Sequence, residues 1–303
     1  MSQPTEFNPP TGVAEQLEPG LRRILAPNPS PMTWRGTNTY IIGQGQIAVI
    51  DPGPESAQHL EAILSQTRGE VITAILVTHS HKDHSPLARP LSEATGAPVL
   101  AFGDSNAGRS EVMQDLLARG FAGGGEGVDA DFQPDQLLAD NETLHGPDWA
   151  LTALWTPGHM ANHLCFSWQD ALFTGDHVMG WASSLVSPPD GDLTQFMASC
   201  ARLSQRQDRV YHSGHGAPIL NPAERLSWLI AHRKSREAEI LAALPAEGAS
   251  ADDLTRLIYT DTPAELLPAA SRNVFAHLID LSGRNLVQMP PAPSPTSLFY
   301  PCN

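Results

Sequence analysis

Hydrophobic positions along the chain fall into two textures. Residues 37–43 and 46–51 are β-branched runs separated by Gly43, Gln44 and Gly45, the pattern of a hairpin. Residues 71–78 are nearly all apolar and rich in Val, Ile and Thr, which predicts a strand buried on both faces. Residues 55–66 carry Leu60, Ile63 and Leu64 at helical spacing. Residues 84–95 read as a second helix and 98–102 as another strand. Residues 103–136 interrupt this rhythm as an insertion: a helical piece at 110–119 precedes the glycine-rich stretch 120–127. Strand character returns at 149–155, 163–168 and 171–174. A helix at 193–203 and a short strand at 210–212 follow.

At Asn221 the pattern changes. Residues 222–244 form a long amphipathic helix with Leu226, Leu229, Ile230, Ile240 and Leu241 as apolar positions. Ser250, with Asp253 three residues on, predicts an N-cap for a helix over 250–259. A third helix covers 263–281, and residues 283–287 suit a turn and a β wing. The tail 290–303 holds five prolines and reads as extended. The division expected is a loose segment 1–15, a large domain 16–221, a small mostly helical domain 222–288 and a Pro-rich tail 289–303.

Composition narrows the class. The chain has 303 residues, enough for about two domains, and no apolar stretch near the ~18 residues of a membrane span. No apolar signal region occurs in the first thirty residues, and Cys165, Cys200 and Cys302 lie far apart without a pairing motif. A reducing cytoplasm and inert thiols are expected. Acidic residues number 33 against 18 basic, a net charge of −15. That field repels polyanions, so a general nucleic-acid binder is disfavoured unless a local basic groove, built from Arg35, Lys82, Arg233 or Lys234, escapes the average.

The candidate chemistry lies in the positions of the 12 histidines. The strand over 71–78 runs into His79, His81, Asp83 and His84, four metal-capable side chains within six residues. His79 and His81 alternate, so in extended chain they point the same way. Three further candidates, His159, Asp176 and His215, each follow a predicted strand in a glycine-containing turn. Imidazole and carboxylate suit zinc and other first-row divalent ions, and a closed structural zinc site would favour cysteine. His163 is placed to donate into the pocket, and His177 and His212 adjoin ligand candidates. His59, His145, His232 and His277 read as ordinary surface or packing residues.

The His-x-His-x-Asp-His motif at 79–84, with His159, Asp176 and His215 in order and the loop Asp51-Pro52-Gly53, resembles the metallo-β-lactamase superfamily over about residues 20–220. The resemblance implies an α/β fold, the αββα sandwich. It implies two divalent metals, zinc by default with iron or manganese tolerated: His79, His81 and His159 hold the first, Asp83, His84 and His215 the second, and Asp176 bridges them. From their positions, Asp51 is expected to orient a ligand loop, His163 to donate to a ligand from behind, and His177 to support the neighbouring ligand. Residues 28–40, 231–237 and 276–278 resemble the branch that joins this fold to a C-terminal winged helix and includes an endoribonuclease.

Asp176 stands where the common zinc β-lactamases carry Cys, so antibiotic hydrolysis is not expected. Persulfide dioxygenases need only part of this ligand set, and the basic glutathione-binding residues of glyoxalase II are not evident. Residues 224–287 hold seven Lys/Arg against nine Asp/Glu, unlike a DNA-reading winged helix. The expected function is a two-metal hydrolase in which a bridging water, acidified by the metals, attacks a small ester, thioester or lactone. Asp83 is its candidate proton shuttle. A single-strand endoribonuclease and a non-catalytic binding protein acting through the winged helix remain as alternatives. Residues 103–136 and 181–192 are expected to shape the pocket, and the small domain to act as a lid or in a homodimer.

Overall fold

β-branched runs too apolar to face water build two stacked sheets. In the computed structural model, which describes residues 7–121 and 127–302, the first sheet has seven strands in sequence order. They are β1 (Ala14–Glu18), β2 (Leu21–Leu25), β3 (Asn38–Ile42), β4 (Gln46–Ile50), β5 (Val71–Leu76), β6 (Val99–Ala101) and β7 (Gln136–Leu137). The second sheet contains β8 (Thr143–His145), β9 (Ala150–Trp155), β10 (Leu164–Trp168), β11 (Ala171–Gly175) and β12 (Val210–Ser213), with β12 and β8 at its edges. Helices α1 (Ala57–Gln66) and α2 (Ala88–Thr95) accompany the first sheet, α3 (Glu111–Ala118) lies in the insertion, and α4 (Leu193–Leu203) precedes β12.

Three apolar layers follow from this stacking. Leu21, Tyr40, Ile42 and Leu76 meet Leu151, Leu164, Phe166 and Phe173 between the sheets. Ile24, Ile41, Ile47 and Val49 pack with Ile63 and Leu91 on one outer face. Leu154, Cys165 and Leu172 pack with Phe196 on the other. This is the αββα sandwich, each sheet burying both faces as its near-continuous apolar strands require.

The C-terminal helices are α5 (Pro222–Ala243), α6 (Ala251–Ile258) and α7 (Leu267–Gly283), with a 3₁₀ turn at Ala264–Leu266 before α7. Ser250 caps α6, its hydroxyl accepting from the Asp253 amide. The wing is β13 (Val287–Gln288), and its partner is β14 (Tyr300–Pro301) from the Pro-rich tail. Phe299 of that tail is fully buried among Phe275, Leu278 and Ile279.

Several expectations need correction. The helix expected from His84 starts at Ala88, because Pro86 disfavours helical geometry at Ser85. Of the segment expected to be loose, residues 1–6 lie outside the described residues, but Phe7 is buried against Trp34 and Thr11 bridges to Leu25. Among the described residues the insertion contributes Gly127 to the pocket wall, while Met113 and Leu116 of α3 join the C-terminal helical cluster. Residues 122–126 of its glycine-rich stretch lie outside the described residues.

Candidate metal centre

Parallel pairing of β4 with β5 and of β11 with β12 brings the loops after each pair out together. Asp51 follows β4, His79 to His84 follow β5, Asp176 follows β11 and His215 follows β12. Glycine is needed where these loops converge. A Cβ on Gly214 would lie 2.5 Å from Asp176 Oδ1, and one on Gly158, at φ +146°, would lie 2.2 Å from Phe196 Cα.

The seven expected ligands converge as two adjoining groups. In the first, His81 Nδ1 lies 2.9 Å from His79 Nε2 and 3.0 Å from His159 Nε2. A tetrahedral zinc with nitrogen ligands sets neighbouring nitrogens about 3.3 Å apart, close to this spacing. In the second, His215 Nε2 lies 3.1 Å from Asp83 Oδ2 and His84 Nε2 lies 3.4 Å from the same oxygen. Asp176 faces both groups: Oδ2 is 3.8 Å from His159 Nε2 and 3.3 Å from His215 Nε2, and Oδ1 is 3.5 Å from His84 Nε2.

Hydrogen bonds behind the rings decide which nitrogen faces inward. His159 Nδ1 donates to Leu185 O (2.6 Å), His215 Nδ1 to Gly36 O (3.1 Å) and His84 Nδ1 to Asp51 Oδ2 (2.9 Å). The Thr78 hydroxyl donates to Asp51 Oδ2, which leaves its oxygen to accept from His79 Nδ1 at 2.9 Å. Four imidazoles thus aim an Nε2 lone pair at the centre. His84 Nε2, His215 Nε2 and Asp176 Oδ1 are buried without a hydrogen-bond partner. Converging, unpaired lone pairs are costly unless a cation completes them, so the donor set fits divalent metal.

The electrostatics separate the groups. Burial, reinforced by neighbouring imidazoles, depresses His79 well below the usual histidine range and His81 to about 3. Burial also lowers His159, so the first group offers neutral ligands. In the second group burial works against charge on His215, but Asp176 and Asp83 outweigh it and raise the ring to about 10. His84 is raised for the same reason by Asp83, Asp176 and Asp51. The carboxylates there attract positive charge, whether proton or metal.

Asp51 sits at φ +49°, an uncommon angle for a non-glycine residue. There its carboxylate accepts from the Thr78 amide and hydroxyl, each at 2.7 Å, and from His84. His163 accepts from the Asp176 amide at 3.3 Å and pairs with Thr156 Oγ1. His177 has its ring centroid 5.8 Å from that of His163 and its Nε2 3.5 Å from Cys200 Sγ. Burial pushes the Cys165 and Cys200 thiols up to about 12, in keeping with inert cysteines. His59 and His277 are buried packing residues. His232, expected to be ordinary, instead lines the cavity in front of the two candidate ligand groups.

That cavity, of about 580 Å³, is floored by His81, Asp83, His159 and Asp176. Met32, Met179, Trp181 and Leu185 wall one side, and Tyr259, Leu266, Arg272 and Asn273 come from the C-terminal region. Hydropathy along the chain gave no signal for the last four, since nothing local marks a helix face that closes a distant pocket.

A profile of the metallo-beta-lactamase superfamily matches residues 32–215, and one of the beta-lactamase associated winged helix domain matches residues 250–291. The chain is 31% identical over 280 residues to a beta-lactamase-like protein 2 homolog of Drosophila melanogaster, covering 88% of this chain and 89% of that one. It is 33% identical over 238 residues to an atrochrysone carboxyl ACP thioesterase of Passalora fulva, covering 76% of this chain and 63% of the fungal one, under two thirds of its length. The crystal structure of a metallo-beta-lactamase family protein from Thermus thermophilus superposes with a TM-score of 0.75 at 25% identity, covering 94% of this chain and 100% of that one. Sandwich, ligand geometry and sequence agree, and the chain belongs to the metallo-β-lactamase superfamily as a hydrolase with the associated C-terminal winged-helix domain.

Proposed function

We propose that this chain is a dinuclear metal-dependent hydrolase of small acyl substrates, an ester, thioester or lactone. The observation that carries the reading is the largely apolar cavity of about 580 Å³ opening directly onto both ligand groups. That volume suits a small molecule rather than a polymer. The fungal relative named as a thioesterase supports the thioester among the three.

His79, His81 and His159 would hold one cation, Asp83, His84 and His215 the other, with Asp176 reaching both. The ions, zinc by default and iron or manganese within the reach of the same donors, supply Lewis acidity that makes water nucleophilic near neutral pH and polarises the scissile carbonyl. The chain's residues do the rest. Met179, Trp181 and Leu185 hold the acyl portion and exclude bulk water. Asp83, on the cavity floor with its side chain 27% exposed, moves protons between the reacting centre and the cavity.

Asp51 serves the second group through His84. Asp51→Asn puts an amide N–H₂ where one of three donors now binds. Metal affinity at that group is expected to fall about 10- to 100-fold, as for other partners of ligating histidines. Titration of metal-free protein with zinc checks this, and an unchanged affinity contradicts the role.

The ribonuclease alternative loses one of its expected basic residues, because Arg233 is buried. The cavity lining holds four carboxylates, Asp83, Asp176, Asp190 and Glu265, against two arginines, Arg272 and the buried Arg233. Metal-replete protein assayed on an acyl thioester, a lactone and single-stranded RNA separates the readings. The expected result is thiol or acid release nearly flat across moderate salt, whereas RNA binding weakens with a slope near −0.7 per phosphate contacted. Efficient RNA cleavage at physiological salt, abolished by His81→Ala, overturns the small-molecule reading.

A further inference from the structure

The loop between Asp176 and α4 has no regular structure, and the C-terminal helices hold it. Arg225 of α5 donates to Met179 O (2.7 Å) and Ala182 O (2.6 Å). Arg233, one helical stretch further on and 3% exposed, donates to Ser184 O and, at 3.0 Å, to Asn273 Oδ1 of α7. A buried guanidinium directed at a backbone carbonyl and an amide, rather than at a carboxylate, is an expensive arrangement that calls for a reason.

The reason lies one peptide further along. Asn273 Oδ1 also accepts from the Val186 amide at 3.0 Å. The Val186 N–H and the Leu185 C=O belong to one planar trans peptide and point in opposite directions. On its far side, that same Leu185 carbonyl accepts from His159 Nδ1 at 2.6 Å. The order of contact is therefore Arg233, Asn273, the Leu185–Val186 peptide and His159. We infer that Arg233 and Asn273 are positioning residues for His159: they orient the Leu185–Val186 peptide, and its carbonyl holds the ring and the tautomer that present Nε2 to the first ligand group. A peptide whose N–H is engaged is also a better acceptor at its carbonyl. The winged-helix domain thereby forms part of the metal centre without contributing a ligand.

This rests on the reading of His159 as a ligand, and the test separates the two. Metal-free protein carrying all 303 residues is titrated with cobalt(II) against a chelating dye, with the visible cobalt spectrum recorded and thermal unfolding of the metal-free forms as a check on folding. Asn273→Leu, which removes the shared acceptor, is expected to weaken one of the two binding events about 10-fold and to change the spectrum. Asn273→Asp, which keeps an oxygen there, restores both. Arg233→Met is expected to weaken the same event, and if it fails to fold, the Asn273 pair carries the test. Parent affinity and spectrum in Asn273→Leu, or equal weakening of both events, overturns the inference. His159→Ala that still binds two ions instead overturns the ligand reading on which it stands.

Discussion

Asp176→Ala is expected to lose activity and one metal together. Its carboxylate is the group that faces both ligand sets, with Oδ2 toward His159 and His215 and Oδ1 toward His84. Two adjacent dications repel each other, and a shared anion offsets that repulsion. Removing it deprives His84 and His215 of one of the charges that raise them, so positive charge of any kind is held less well there. The loss is expected to be several kcal/mol of transition-state stabilisation, roughly a thousandfold in turnover or more. Metal analysis and thioester hydrolysis on the same preparation measure it. Asp176→Asn keeps the shape and should be nearly as damaged, because charge is what matters. Two bound metals with full activity in Asp176→Ala contradicts the bridging role.

The second large effect is expected from ending the chain after Leu220. The seven candidate ligands all precede that point, so sequence position alone suggests they survive. The packing argues otherwise. Leu226, Leu229 and Ala276 share one buried cluster with Val186, Leu193 and Phe196. Exposing each large apolar side chain costs about 1.5–3 kcal/mol. The carbonyls of Met179, Ala182 and Ser184 and the amide of Val186 lose their donors and acceptor from Arg225, Arg233 and Asn273. Together these losses rival a typical domain stability of about 5–15 kcal/mol. The truncated chain is expected to aggregate, or to lose nearly all turnover if kept in solution. Light scattering, soluble yield and hydrolysis rate check this, and a soluble, equally active fragment refutes it.

The central sandwich was legible because its strands are short β-branched blocks, which leave few alternatives to burial between layers. The hairpin through Gly43 to Gly45 reads directly, both of those glycines adopting positive φ. Strands β1 and β2 were not legible. Ala14–Glu18 and Leu21–Leu25 carry charged and unbranched residues, and only pairing with β3 makes them strands. The wing expected at 283–287 meets β13 at Val287, but its pairing was not legible, for a related reason. Its partner strand comes from a proline-rich tail, and Phe299 anchors that tail through a contact far away in sequence.

The sequence by itself determined which seven side chains are candidate donors: the 79–84 motif and three glycine turns carry them, since local spacing limits which side chains an edge of sheet can present together. Only the tertiary structure decided the rest. The split into two groups, the place of Asp176 facing both, and the inward Nε2 of four rings depend on partners 26 to 179 residues away for His159, His84 and His215. The same holds for the cavity wall built by α7 and for the peptide that links Asn273 to His159. Hydrogen bonds and cavity walls depend on positions in space, and no local pattern of polar and apolar residues encodes which distant carbonyl a ring nitrogen will find.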